Sequence, residues 1–194
     1  MKKFITNYMN ETYAMQNTML NDENLISTVE EISNLMVDCY KKGNKVLLAG
    51  NGGSAGDAQH IAGELVNKFF IDRKGLAGIA LSTDTSVMTA VGNDYSFDDV
   101  FKKQIEAIGK EGDIFIGIST SGNSKDIVKG LEICKEMGIK TVGLTGEKES
   151  KMSELCDITL KIPSTCTPHV QEGHIVCYHM ICALVEDAIF GKNK

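Results

Sequence analysis

Apolar residues in the first forty positions keep helical spacing: Leu25, Ile26, Val29, Ile32, Leu35, Met36 and Cys39 recur mainly at steps of three and four. Residues 3–43 hold no Pro and no Gly before Gly43, so the pattern predicts one or two helices. Asp22 or Asn21 would cap the start, and Gly43, just past Lys41 and Lys42, would mark the stop. From Val46 the pattern changes. Residues 46–49 form an unbroken apolar run, as expected of a parallel strand covered on both faces. Short runs of strand formers follow at 76–81, 113–118, 140–144 and 157–162, with helical segments at 95–109 and 125–138 between them. This alternation predicts an α/β fold: a doubly wound, five-stranded parallel sheet with flanking helices. The chain then divides into a helical extension, 1–43, and an α/β core, 44–194, within one domain. The extension would cover its own sheet, the commoner role, or bury Ile26, Val29, Leu35 and Met36 against a second subunit.

The first strand runs into Gly50, Gly52 and Gly53 and then a helix, with Ser54 or Asn51 as its cap. Ala58, Ile61, Ala62, Leu65 and Phe69 make an apolar stripe on that helix, and Asp57, His60, Glu64 and Lys68 share the other face. Three readings of the turn compete. Gly50 to Ala55 satisfies G-x-G-x-x-A, a dinucleotide fingerprint, but the acidic ribose ligand due about twenty residues on is missing. The next acidic residue after a strand, Asp84, comes roughly a dozen residues too late for it. A sugar-phosphate or polyol site built from Asn51, Ser54 and free backbone N–H groups fits better. The third reading is a plain tight turn with a solvated helix face.

Residues 114–124 repeat the theme of buried strand, Gly/Ser/Asn turn and helix. Ser119, Thr120, Ser121 and Ser124 place four hydroxyls at a helix N-terminus, suited to a dianionic phosphate. A plain cap needs one hydroxyl. The loop lacks a P-loop lysine, which argues against nucleoside-triphosphate hydrolysis. Both turns fall at the carboxyl ends of strands, where doubly wound sheets bind ligands. Within the last segment, residues 163–186, Thr167 and Pro168 read as the cap and first position of a helix. Gln171, His174 and His179 lie on it, Gln171 and His179 on broadly similar sides. A lone His on such an apolar helix is more often a core residue than a ligand. If the two half-sites meet at one crevice, His60, Glu64 and His179 offer His, Glu and His to a metal.

The 194 residues suffice for one well-filled α/β domain. A net charge of −6 argues against a nucleic-acid partner. The N-terminal stretch lacks the apolar centre of a signal peptide. The best candidate for a membrane span, 175–190, is interrupted by His179, Glu186 and Asp187, so no membrane partner is expected. The six cysteines are scattered without a C-x-x-C pair, as reduced thiols of a cytoplasmic protein would be.

Four segments, AGNGGSAGDAQHIAGELVNKF, LSTDTSVMTAVGNDYSFDDVF, GISTSGNSKDIV and TPHVQEGHIVCYHMICALVE, together resemble the sugar isomerase (SIS) domain family. Within it the chain is similar to the phosphoheptose (sedoheptulose 7-phosphate) isomerases. The resemblance implies a flavodoxin-like SIS fold in a homotetramer with active sites at subunit boundaries, and one zinc per subunit. It implies aldose–ketose isomerisation of sedoheptulose 7-phosphate to D-glycero-D-manno-heptose 7-phosphate through an enediol, for ADP- or GDP-heptose synthesis. Carried over by position, the substrate contacts are Asn51, Gly52, Gly53, Glu64, Asn93, Asp94, Ser119, Thr120, Ser121, Ser124 and Gln171. The metal ligands are His60, Glu64, Gln171 and His179. Proton transfer between C1 and C2 needs a base and an acid, and Glu64 and His179 are assigned those roles.

Two positions depart from the family pattern: His169 and Lys68 stand where many members have arginine, whose planar fork neither residue reproduces. This is expected to affect substrate affinity. The alternative is a non-catalytic relative of the DnaA initiator-associating protein, which shares fold and loops but lacks the pair that this chain keeps at Glu64 and His179. A sugar-phosphate-sensing regulator would add a DNA-binding module, for which 194 residues leave no room.

Overall fold

Strand β1 (Val46–Gly50) is buried at every residue, and the sheet grows outward from it on both sides. The computed structural model describes residues 1–191. The other strands are β2 (Gly78–Ala80), β3 (Ile114–Ile118), β4 (Lys140–Gly146) and β5 (Ile158–Ile162). They lie in the order β2-β1-β3-β4-β5, all parallel. Val46 pairs with Gly78 on one side and Ile114 on the other. The chain therefore reverses its winding between β1 and β3, the switch point where crevices open in such sheets.

Alternate side chains of β1 and β3 feed two cores. Val46, Leu48, Ile114, Ile116 and Val142 face α1 (Lys2–Leu20), α2 (Glu23–Lys41), α3 (Gly53–Val66) and α8 (Thr167–Phe190). Leu47, Ala49 and Phe115 face the opposite layer. That layer holds α4 (Thr85–Asp94), α5 (Val100–Ile108), α6 (Lys125–Glu136) and α7 (Lys151–Leu155). On α5 Val100, Phe101 and Ile105 are fully buried, each contributing about 1.5–3 kcal/mol by removal from water.

The N-terminal segment forms two helices. The Asp22 carboxylate accepts from the Asn24 and Leu25 backbone N–H groups, and Gly43 takes the left-handed turn (φ +74°) that ends the second. The stripe of α2 is turned inward: Val29 and Met36 are buried in this chain's own core and Leu35 is half-buried, leaving Ile26 exposed. The expectation that all four cover a second subunit is corrected accordingly.

Local boundaries also differ from expectation. Neither Ser54 nor Asn51 caps α3: Gly52 is the cap residue, at φ +55°, and makes no side-chain cap bond. The Asn51 amide is engaged elsewhere and Ser54 is buried. Helix α3 stops at Val66, so Lys68 and Phe69 lie beyond it. Helix α8 begins at Thr167 with Cys166 as cap residue, and Pro168 sits in its first turn. Helices α4 and α7 are additional to the expected elements. Helix α8 is long and apolar enough to cross a membrane by length and composition alone, but Val170, Cys177, Ile181 and Val185 bury it in the core. All six cysteines are free thiols, four of them buried.

Candidate active site

Helix α3 leaves the β1 turn with His60 and Glu64 one turn apart, and His60 Nε2 lies 3.0 Å from Glu64 Oε1. Helix α8 packs beside it and brings His179 Nε2 to 3.3 Å from His60 Nε2. One ligand atom from each of the three residues lies within 4.8 Å of the others. Two imidazole Nε2 atoms at that range share one hydrogen or one cation. A tetrahedral zinc with bonds of about 2.0–2.1 Å separates its ligand atoms by roughly 3.3 Å, so the spacing suits the donor set.

Behind His60 stands a relay. Tyr178 Oη is 2.9 Å from His60 Nδ1, and the same hydroxyl reaches Asp57 Oδ1 at 3.4 Å. Tyr178 donates to Asp57, so its oxygen can accept from His60 Nδ1–H in the tautomer that a cation held on His60 Nε2 would require. Burial raises the Asp57 carboxyl above its ordinary range, opposed by the Tyr178 hydroxyl and the His60 ring. Burial likewise pushes the Tyr178 hydroxyl up. Asp57 Oδ2 has no hydrogen-bond partner among the described residues.

The two crevice loops are joined across the switch point: Asn51 Nδ2 donates to both carboxylate oxygens of Asp126, at 3.1 and 2.8 Å. Burial raises the Asp126 carboxyl, offset by that amide. Asn51 therefore keeps its amide oxygen free of the Asp126 contact. Gln171 reaches the same turn from α8; a Cβ on Gly53 would stand 2.5 Å from its Nε2, so a side chain there would displace the Gln171 amide. Gly52 is needed for its positive φ. In the second loop the Ser119 hydroxyl meets those of Ser124 at 2.9 Å and Ser121 at 3.3 Å. Ser124 is the cap residue of α6 yet makes no side-chain cap bond, leaving its hydroxyl to this cluster. Thr120 and Ser121 line a polar cleft of about 260 Å³ with Lys148 and Ser164.

Asn93 and Asp94 stand apart. They lie at the end of α4, exposed, with Asn93 Nδ2 donating to Asp94 Oδ1 at 2.8 Å. His174 is a core residue, as a lone His on this helix suggested: its ring is fully buried against the Thr145 carbonyl at 3.1 Å, and burial lowers its pKa to about 4. His169 also turns inward. Its Nδ1 meets Glu172 at 3.1 Å and its Nε2 meets Glu11 at 3.3 Å. The Glu172 carboxylate, and Glu11 beside it, raise its pKa against the effect of burial. Its replacement of arginine thus bears on the docking of α1. Lys68 forms no ion pair among the described residues. Tyr178 and Asp126 went unnoticed in the sequence, one hidden in an apolar helix and the other in an ordinary helical first turn.

Residues 7–146 match the family model described as SIS domain. The chain is 53% identical over 193 residues to phosphoheptose isomerase 2 of Campylobacter jejuni, spanning 100% of this chain and 96% of that one. It is 54% identical over 194 residues to the phosphoheptose isomerase of Aneurinibacillus thermoaerophilus, spanning 100% and 98%. The solved phosphoheptose isomerase from Neisseria gonorrhoeae superposes with a TM-score of 0.90 at 35% identity, over 96% of this chain and 98% of that one. With fold, matched motifs and full-length identity in agreement, this chain belongs to the SIS domain family and, within it, to the phosphoheptose isomerases.

Proposed function

We propose that the chain interconverts sedoheptulose 7-phosphate and D-glycero-D-manno-heptose 7-phosphate through an enediol, in the crevice between α3, α8 and the β3–α6 loop. The observation that carries this reading is the convergence of His60 and Glu64 with His179 from a separate helix. Glu64 is the base that moves the proton between C1 and C2. Its Oε1 faces His60, while Oε2 takes no hydrogen bond among the described residues and is left for the substrate. His179 is the acid that serves the carbonyl oxygen. Such a pair contributes typically ~10²- to 10⁴-fold.

Ser119, Thr120, Ser121 and Ser124 hold the phosphate, whose binding energy is remote from the reacting carbons. Asn51, Gly52, Gly53 and Gln171 hold the polyol, the Asn51 amide oxygen accepting from a sugar hydroxyl. His60, Glu64, Gln171 and His179 are assigned one zinc per subunit, which would either polarise the sugar oxygens while Glu64 swings free of it to act as base or serve a mainly structural role.

The assembly is proposed to be a homotetramer. A groove of about 790 Å³ between α1, α2 and α8 supports it, since Leu20, Ile26, Met180 and Leu184 stand exposed along it. Asn93 and Asp94, outside the hydrogen-bond network of one subunit's crevice, fit contacts made at a subunit boundary. Residues 1–194 are read as one SIS domain, with 1–43 an extension packed on α8. Free thiols buried among apolar side chains support a cytoplasmic location.

Purified protein incubated with sedoheptulose 7-phosphate, followed by NMR, tests the reaction. New aldose signals are expected; no turnover, with or without added zinc, overturns it in favour of a binding role.

A further inference from the structure

We propose that the buried Arg73–Glu186 pair is a positioning device, which sets the end of α3 against α8 and so holds His60 and Glu64 at their distance from His179. It rests on the site assignment above. Glu186 lies about two turns beyond His179 on α8 and is 1% exposed. Its Oε1 accepts from the Phe69 N–H and Arg73 Nε, each at 2.9 Å. Its Oε2 accepts from the Phe70 and Ile71 N–H groups at 2.6 and 2.9 Å. Burial alone would raise this carboxyl; the three backbone donors and the guanidinium hold it below the ordinary range.

Arg73 carries the connection onward. One terminal nitrogen donates to the Leu65 carbonyl at 2.6 Å and the other to the Glu64 carbonyl at 2.9 Å. The last carbonyls of a helix lack intrahelical donors, and a cation is favoured there. Here the planar fork closes the final turn of α3 on the backbone of the proposed base itself. A clamp for the 69–71 loop needs only the Glu186 carboxylate and three N–H groups; the branch to Glu64 reaches the helix that bears two of the site's residues. Phe69, fixed by the same carboxylate, sets its ring 5.7 Å from that of His179. Neither charged group reaches the crevice surface, so both act through others.

Arg73→Lys keeps the charge opposite Glu186 but cannot fork to both carbonyls; Glu186→Gln removes the charge at constant size. Zinc affinity by chelator competition, kcat and KM are measured for both, alongside thermal midpoints. Zinc affinity and kcat are expected to fall about 10- to 100-fold while KM stays within about threefold. A shift in thermal midpoint alone, with zinc affinity and kcat within about twofold of the parent, overturns the proposal and leaves the pair a plain fold anchor. If Glu186→Gln does not fold, Arg73→Lys decides. If the parent binds no zinc, the metal assignment falls, and loss or retention of kcat at unchanged KM still decides the role of the pair.

Discussion

His60 and His179 meet through their Nε2 atoms at 3.3 Å although 119 positions separate them in the chain. Two neutral rings in that geometry make at most one weak hydrogen bond, and two charged ones repel. The pairing is favourable when something between them accepts both lone pairs or shares a proton, which is why the proposed chemistry centres on this point.

Tyr178→Phe removes the hydroxyl that holds His60 Nδ1 while keeping the ring in the core. Outer partners of this kind are worth about 10- to 100-fold in metal affinity, so zinc binding measured by chelator competition is expected to weaken by that factor. Unchanged affinity means that the relay to Asp57 does not orient His60.

Ser124→Ala removes one hydroxyl of the Ser119–Ser124 cluster. A hydrogen bond to a charged group contributes about 1.5–3 kcal/mol, so KM for the sugar phosphate is expected to rise roughly 10- to 100-fold with little change in kcat. Steady-state kinetics check this, and a fall in kcat at constant KM would place the phosphate elsewhere.

His174 predicts an acid limb in stability. Its folded pKa is lowered from 6.5 to about 4 by burial, so below pH 6.5 the unfolded chain binds a proton that the folded chain refuses. Its contribution is intact above pH 6.5 and declines by about 1.4 kcal/mol per pH unit, approaching 3 kcal/mol in all near pH 4. Urea unfolding at a series of pH values reads the slope. In His174→Gln, which keeps a donor for the Thr145 carbonyl, that component should vanish.

Leu184 is 47% exposed on α8 beside Met180 and Ile26. Leu184→Lys sets a charge in the groove assigned to subunit contact, and light scattering is expected to show a tetrameric parent and a variant broken into smaller species. A variant with the parent's mass would mean that another face holds the subunits together.

The sheet was legible because 46–50 and 114–118 are buried on both faces and so read as continuous apolar runs. The pair His60 and Glu64 on α3 could be read from one-turn spacing, whereas His179 on α8 entered through motif resemblance. Helix α4 was not, since it has no fully buried residue and therefore little periodicity to read. The start of α3 was misassigned because Asn51 has a partner 75 positions away, Asp126, that competes with capping. Arg73 and Glu186 are 113 positions apart; in the sequence each is an ordinary charge, and Glu186 counted only as an interruption of an apolar run. The inward turn of His169 depends on Glu11 from α1, a tertiary contact that no local pattern announces.

The central claim is that Glu64 is the base, and Glu64→Gln tests it most directly when turnover and binding are measured on the same preparation. Glutamine keeps size and hydrogen-bonding capacity but takes no proton near neutral pH. Turnover is predicted to fall by ~10²- to 10⁴-fold, while sugar-phosphate binding by calorimetry, carried by Asn51 and the 119–124 loop, stays within roughly tenfold. Turnover surviving above about a tenth of the parent's, well short of the general-base range, would contradict the account.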